Sequence, residues 1–128
     1  MIVADASVIL AILLNEPGAE RYSDLLTTSG ARLSPVNRWE VLVAARRQLG
    51  DRGVAEARTL FETLGIETPT LDAGDADAAF EAYCRFGKGA GGPLNLGDCF
   101  AYALAQAEGD GLLFKGNDFP KTDVKPAV

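Results

Sequence analysis

The sequence predicts a single α/β domain over residues 1–128, with a short, mostly parallel central sheet flanked by helices on both faces. Two patterns carry this prediction. Short apolar runs at Ile2-Val3-Ala4, Arg32-Leu33-Ser34, Ile66-Glu67-Thr68 and Leu112-Leu113-Phe114 alternate with longer segments whose apolar residues recur at helical spacing, as strands joined by crossover helices do. Apolar residues make up 48% of the chain and charged residues 23%, which suits a folded globule, and no repeat or compositional break marks a second domain.

Taken in order, Ile2-Val3-Ala4 reads as a buried strand ending at Asp5. Ser7 is placed to cap a helix running to Leu14 that is apolar on nearly every side. Such a helix must be covered, by the sheet on one face and by another subunit on the other. Asn15-Glu16-Pro17-Gly18 is turn chemistry, and a second helix from Ala19 to Thr28 carries Tyr22, Leu25 and Leu26 on one face. After Arg32-Leu33-Ser34, a helix from Asn37 to Leu49 is stopped by Gly50; Trp39, Leu42, Val43 and Leu49 are expected to face inward, with Glu40 beside that stripe. A fourth helix, Val54 to Leu64, aligns Val54, Ala57, Leu60 and Phe61 and ends at Gly65. Beyond the weak strand Ile66-Glu67-Thr68, Asp72 or Gly74 opens an alanine-rich helix to Phe86. The glycine-dense loop from Gly87 to Pro93 lacks the terminal Lys-Ser/Thr of a nucleotide phosphate loop. Asn95 then caps a helix to Glu108 in which Leu96, Phe100, Ala103, Leu104 and Ala107 share a face and Asp98 sits in the first turn. Gly109-Asp110-Gly111 turns the chain into the last strand, and a polar segment with Asn117, Asp118, Thr122 and Asp123 follows.

The composition excludes several chemistries. With no histidine, the chain cannot run a Ser-His-Asp or Cys-His mechanism, His-based ribonuclease chemistry or a His-ligated zinc site. Catalysis must rest on carboxylates, hydroxyls, lysine or a hard metal ion. Cys84 and Cys99 are too few and wrongly spaced for a metal site or a disulfide framework, and read as small buried hydrophobes in a reducing cytoplasm. The longest apolar run, Ala6 to Leu14, is too short to cross a membrane and has no basic segment before it. A net charge of −6 disfavours broad electrostatic capture of nucleic acid. An enzyme acting on nucleic acid would need a metal or a local basic rim, for which Lys88, Lys115, Lys121, Arg46 and Arg47 are the candidates.

Ligands of open α/β sheets gather at the carboxyl ends of the strands. Asp5 ends the first strand, Glu40 lies one turn into the helix after the second, Asp98 heads the helix before the last strand, and Asp118 follows that strand. Carboxylates converging there repel one another unless protonated or bound to cations, and Mg²⁺ or Mn²⁺ suits hard oxygen ligands. Such a site performs phosphoryl chemistry, the ion clamping the phosphate and acidifying an attacking water.

The segments Met1-Ile2-Val3-Ala4-Asp5-Ala6-Ser7, the helix around Glu40, Leu94-Asn95-Leu96-Gly97-Asp98-Cys99-Phe100-Ala101-Tyr102, and Leu112-Leu113-Phe114-Lys115-Gly116-Asn117-Asp118-Phe119 with Lys121-Thr122-Asp123 resemble PIN-domain proteins, and more closely the VapC toxins of bacterial VapBC type II toxin–antitoxin pairs. The resemblance spans the whole chain. It implies a Mg²⁺-dependent endoribonuclease with Asp5, Glu40, Asp98 and Asp118 as its acidic pocket. Asp5 and Asp98 carry over as metal ligands, and Asp118 as the last acid, assisted by Asn117 or Thr122. The resemblance further implies a homodimer, an RNA substrate and a cognate VapB-like antitoxin whose C-terminal segment covers the active site. Without histidine, the base that accepts water's proton is a carboxylate or solvent, and Glu40 is the candidate.

Two rival readings make different demands. A magnesium phosphatase of the aspartyl-nucleophile kind also places Asp after its first strand, but wants a second Asp two residues on, where this chain has Ser7. A non-catalytic PIN-like interaction module needs no metal pocket, whereas here all four acids are present.

Overall fold

The computed structural model describes residues 1–128. Four short strands, β1 (Ile2–Ala4), β2 (Ala31–Arg32), β3 (Ile66–Glu67) and β4 (Leu112–Leu113), form one parallel sheet in the order β3-β2-β1-β4. β1 is central: Val3 registers with Arg32 on one side and with Leu112 on the other. Parallel neighbours cannot be joined by hairpins, so every connection is a helical crossover. Helices α1 (Ala6–Leu13) and α2 (Ala19–Ser29) link β1 to β2, α3 (Pro35–Thr63) links β2 to β3, and α4 (Ala73–Phe86) and α5 (Leu96–Glu108) link β3 to β4. No helix is long and apolar enough to cross a membrane.

Alternation along β1 divides the interior into two cores. Ile2 and Ala4 join Ile9, Leu26, Val41 and Phe61 on the side of α1, α2 and α3. Val3 points the other way, to Ala79, Leu94, Ala101, Tyr102 and Phe119 on the side of α4 and α5. Leu26, Leu33 and Leu94 are fully buried, and burying each contributes about 1.5–3 kcal/mol. The outer edge of β4 is covered as well. Leu112 N–H donates to the Lys125 carbonyl at 2.9 Å, and the Leu112 carbonyl accepts from Ala127 N–H at 2.9 Å. That pairing shields an edge that would otherwise be open to other chains.

Several sequence expectations need correction. Asp5, not Ser7, caps α1: its carboxylate accepts from Ser7 N–H at 3.2 Å. The apolar α1 finds its cover within this chain, against α2, α3 and the sheet, with Leu10, Ile12 and Leu13 left only partly buried. The helices expected on either side of Gly50 run into one another as α3, which kinks where Gly50 takes φ 68° and ψ −155°. Only glycine adopts that positive φ readily, so the break falls where expected but costs no loop. Trp39 and Leu49, expected inside, are 65% and 43% exposed. The buried side of the first half of α3 is instead Asn37, Val41 and Ala45. Leu96 is 67% exposed, and Ala107 is exposed too. α5 faces inward with Gly97, Cys99, Ala101, Tyr102 and Ala105. Of the two cysteines, Cys99 is buried and Cys84 exposed.

Candidate active site

The parallel sheet directs the ends of β1, β2 and β4 to one rim, and the acids sit there because their elements begin there. Asp5 leaves β1 directly. Its backbone N–H donates to the Leu113 carbonyl at 2.9 Å, and Lys115 N–H donates to Ser7 Oγ at 3.0 Å. The exits of β1 and β4 are thereby tied together. Ser34 caps α3, accepting from Val36 N–H at 3.2 Å with Pro35 in the first turn. This sets Glu40 about one and a half turns in.

Asp98 is held by a reciprocal cap. Asn95 Oδ1 accepts from Asp98 N–H at 2.9 Å, and Asp98 Oδ2 accepts from Asn95 N–H at 3.0 Å. One carboxylate oxygen therefore secures the helix start while the group remains in the pocket.

Glu40 reaches α5 through two features. Asn37, completely buried, donates through Nδ2 to Glu40 Oε1 at 2.7 Å and to the Gly97 carbonyl at 3.0 Å. A Cβ built at Gly97 would overlap the Glu40 carboxyl group. Glu40 thus occupies the space that the missing side chain leaves.

The electrostatics show that these acids share one environment. Burial pushes the Asp5 carboxyl above its usual range, opposed by hydrogen bonds from Ser7 and Ala6 and reinforced by the Glu40 charge. Burial also raises Glu40, the Asn37 amide opposing and the Asp98 charge adding to it. Asp98 is pushed up to about 6, first by burial and then by the charges of Asp5 and Asp118, against Asn95 N–H and Lys88. Mutual repulsion in a partly dry pocket is the condition that a bound cation relieves.

Asp118 is the exposed member. It stands at the head of a single 3₁₀ turn, Phe119–Lys121, whose Phe119 is buried against Phe114 with ring centroids 5.3 Å apart. Thr122 is not free to assist it: its hydroxyl donates to the Phe119 carbonyl at 2.7 Å and accepts from Val124 N–H at 3.2 Å. Asp123 faces elsewhere, bound to the Tyr102 hydroxyl and to Arg85 Nη2 at 2.7 Å. The hydrogen bond from Tyr102, and then that from Arg85, hold its carboxyl below the usual range.

The donor set fits a hard divalent ion. All four groups are carboxylates, and the neighbouring Cys99 thiol is pushed up by burial and by Asp98, so it stays protonated. No three acidic groups close tightly enough to form a ready-made cage.

The PIN domain family matches residues 2–125. This chain belongs to that family. Its similarity to curated PIN-domain proteins runs along nearly its full length. It is 38% identical over 128 residues to ribonuclease VapC42 of Mycobacterium tuberculosis, covering 98% of each chain. It is 40% identical over 141 residues to a VapC ribonuclease of Rhizobium meliloti, covering 97% of this chain and 99% of the relative. The fold is similar to the crystal structure of Mycobacterium tuberculosis VapC20, described as a sarcin-ricin loop cleaving toxin, with a TM-score of 0.80 at 15% identity over 100% of this chain and 98% of that one. The chain is a VapC-type PIN domain.

Two residues of the PIN site escaped the sequence reading. Asn37 and Gly97 carry no charge and no nucleophile, and their contribution is geometric. The one available signal was Gly97 itself, a poor helix former in the first turn of α5, where it is tolerable.

Proposed function

We propose that this PIN domain is a Mg²⁺-dependent endoribonuclease and the toxin of a type II toxin–antitoxin pair, acting in the cytoplasm as a homodimer and silenced by a VapB-like antitoxin. The observation that carries the reading is the coupled set Asp5, Glu40, Asp98 and Asp118 at one rim of the sheet. Identity of 38–40% to VapC ribonucleases along almost the whole chain supports it. An antitoxin and an RNA substrate come with that kinship, and Mn²⁺ is a chemically reasonable substitute ion.

Asp5 and Asp98 would hold the ion, with Asp118 at the open side. When bound, the ion supplies Lewis acidity toward the phosphate oxygens and neutralises the pocket. Glu40 accepts the proton of the attacking water at its carboxylate. Its raised affinity for a proton moves it toward the neutral range in which a general base works best. Asn37 and Gly97 hold that carboxylate in place, and Lys88, whose charge acts on Asp98, offers a cation to the phosphate backbone. Water's oxygen bonds to phosphorus as the bond to the 3′ oxygen breaks.

The test is cleavage of total cellular RNA by purified wild type and Asp98→Asn, each with Mg²⁺ or EDTA. Discrete fragments from the wild type with Mg²⁺ alone support the reading. Equal cleavage by the variant, or none by either, counts against it and brings the interaction-module reading forward.

A further inference from the structure

Trp39 is the only tryptophan of the chain, and it stands 65% exposed one residue before Glu40. At about 100° per residue, it lies on the side of α3 opposite Val41, with Glu40 on the border between the two faces. Val43 and Arg46 follow at helical spacing on the Trp39 side, and Arg47 lies two turns beyond Glu40, about 10 Å along the axis. Arg46 and Arg47 are exposed. Arg46 meets only Asp51, at 3.4 Å and in full solvent, a pairing of little energetic weight. Arg47 has no ion-pair partner in the chain, unlike Arg32, Arg52 and Arg85.

We propose that this outer face of α3 is the substrate-binding surface of the nuclease. Trp39 stacks on an unpaired nucleobase, and Arg46 and Arg47 contact the backbone that leads away from the acidic pocket. The identification of the ligand as RNA rests on the ribonuclease reading above. The surface itself favours a nucleic acid over a protein. A protein partner would want contiguous apolar area, whereas along this face Trp39 and the half-buried Val43 are followed, about two turns on, by two exposed arginines. Aromatic rings beside free guanidinium groups are how proteins hold unstacked single strands. The arrangement also bears on the charge problem, since a chain of net charge −6 carries two exposed arginines about 10 Å along α3 from Glu40.

The lone tryptophan is its own reporter. Full-length protein carrying Asp98→Asn, to prevent cleavage, is titrated with a short single-stranded oligoribonucleotide while tryptophan fluorescence and the anisotropy of a label on the RNA are read together. The expected result is quenching that saturates with the anisotropy change. Trp39→Ala should weaken binding by about 5–150-fold, the range for one base stack, while Trp39→Phe restores most of it. In the cleaving enzyme, Trp39→Ala should raise KM and leave kcat within a few-fold. Replacing Arg46 and Arg47 by glutamine should flatten the salt dependence by about 0.7 per lost contact. The proposal is overturned if RNA binds without quenching, if Trp39→Ala binds as the wild type does, or if RNA does not bind. It is equally overturned if Trp39→Ala changes the native mass, which would make the face a contact between copies. Quenching and stacking without metal-dependent cleavage by the wild type would leave the surface standing and remove the nuclease reading instead.

Discussion

The Glu40 carboxylate rests against the bare α-carbon of Gly97, two helices meeting at a point where no side chain stands between them. The clash in Gly97→Ala would be with the far end of a flexible side chain, so Glu40 would swing aside and the fold would persist. Alanine is the better helix former, and the unfolding midpoint should stay within about 1 kcal/mol of wild type. Cleavage should fall about 10²-fold, the scale expected when a catalytic group is misplaced by an ångström. Urea unfolding and initial rates on one RNA substrate separate the two effects.

Asn37 bridges Glu40 and the Gly97 carbonyl with one amide nitrogen, and its own Oδ1 is buried without a partner. Asn37→Ala should cost about 1–3 kcal/mol through the groups left unsatisfied. Asn37→Asp should be worse near neutral pH, since a carboxylate would face two acceptors with nothing to donate. Measured against wild type at the same pH, its deficit should shrink on acidification, whereas that of the alanine variant should stay nearly constant. Denaturant midpoints at pH 5 and pH 7 read this directly.

The folded chain holds the Asp98 proton up to about 6, against 3.8 for the free side chain. Between those values the folded state binds more protons than the unfolded one, so stability falls as pH rises through the window. Asp5 and Glu40 act in the same direction. Allowing for the solvent-facing part of Asp98, its share is about 1 kcal/mol. Metal-free protein should therefore melt higher at pH 5 than at pH 7. Asp98→Asn should lose the Asp98 share of that difference, and millimolar Mg²⁺ should raise the pH 7 Tm of wild type more than that of the variant. Thermal melts with EDTA or Mg²⁺ check all three.

Asp118 and Asp123 are close in sequence and different in place. Asp118→Asn should cut cleavage with little change in Tm, since its side chain is exposed at the head of a turn. Asp123→Asn should loosen the grip of Arg85 and Tyr102 on the C-terminal segment. Faster amide exchange at Val124 is the expected signature, with a smaller loss of cleavage than for Asp118→Asn.

The sequence made the alternation of strands and helices and the candidate acids legible because both depend on local signals: apolar runs, acids at or after the ends of β1, β2 and β4, and the Asn95–Asp98 spacing of a helix cap. The inward faces of α3 and α5 were harder. Their buried stripes run through Asn37 and Ala45 and through Gly97, Ala101 and Ala105, small or polar residues that let the helices approach closely. The large apolar residues Trp39, Leu49 and Leu96 stand outside. Judging inwardness by side-chain size rotated each stripe: Leu42, Phe100 and Leu104 do pack, partly buried, against the cores, while the most buried positions went to smaller neighbours. Asp123 was ambiguous for another reason, since only the fold brings Arg85 and Tyr102 to it.

The central strand β1 has neighbours drawn from both ends of the chain, β4 following it by about a hundred residues. At about 5–20 residues per second, the ribosome emits β4 on the order of 5–20 s after β1. Until then β1 lacks one of its two partners, and Asp118 does not yet exist. Under the proposed function, a nascent chain that has not yet reached β4 and Asp118 lacks both the second neighbour of β1 and the complete set of acids.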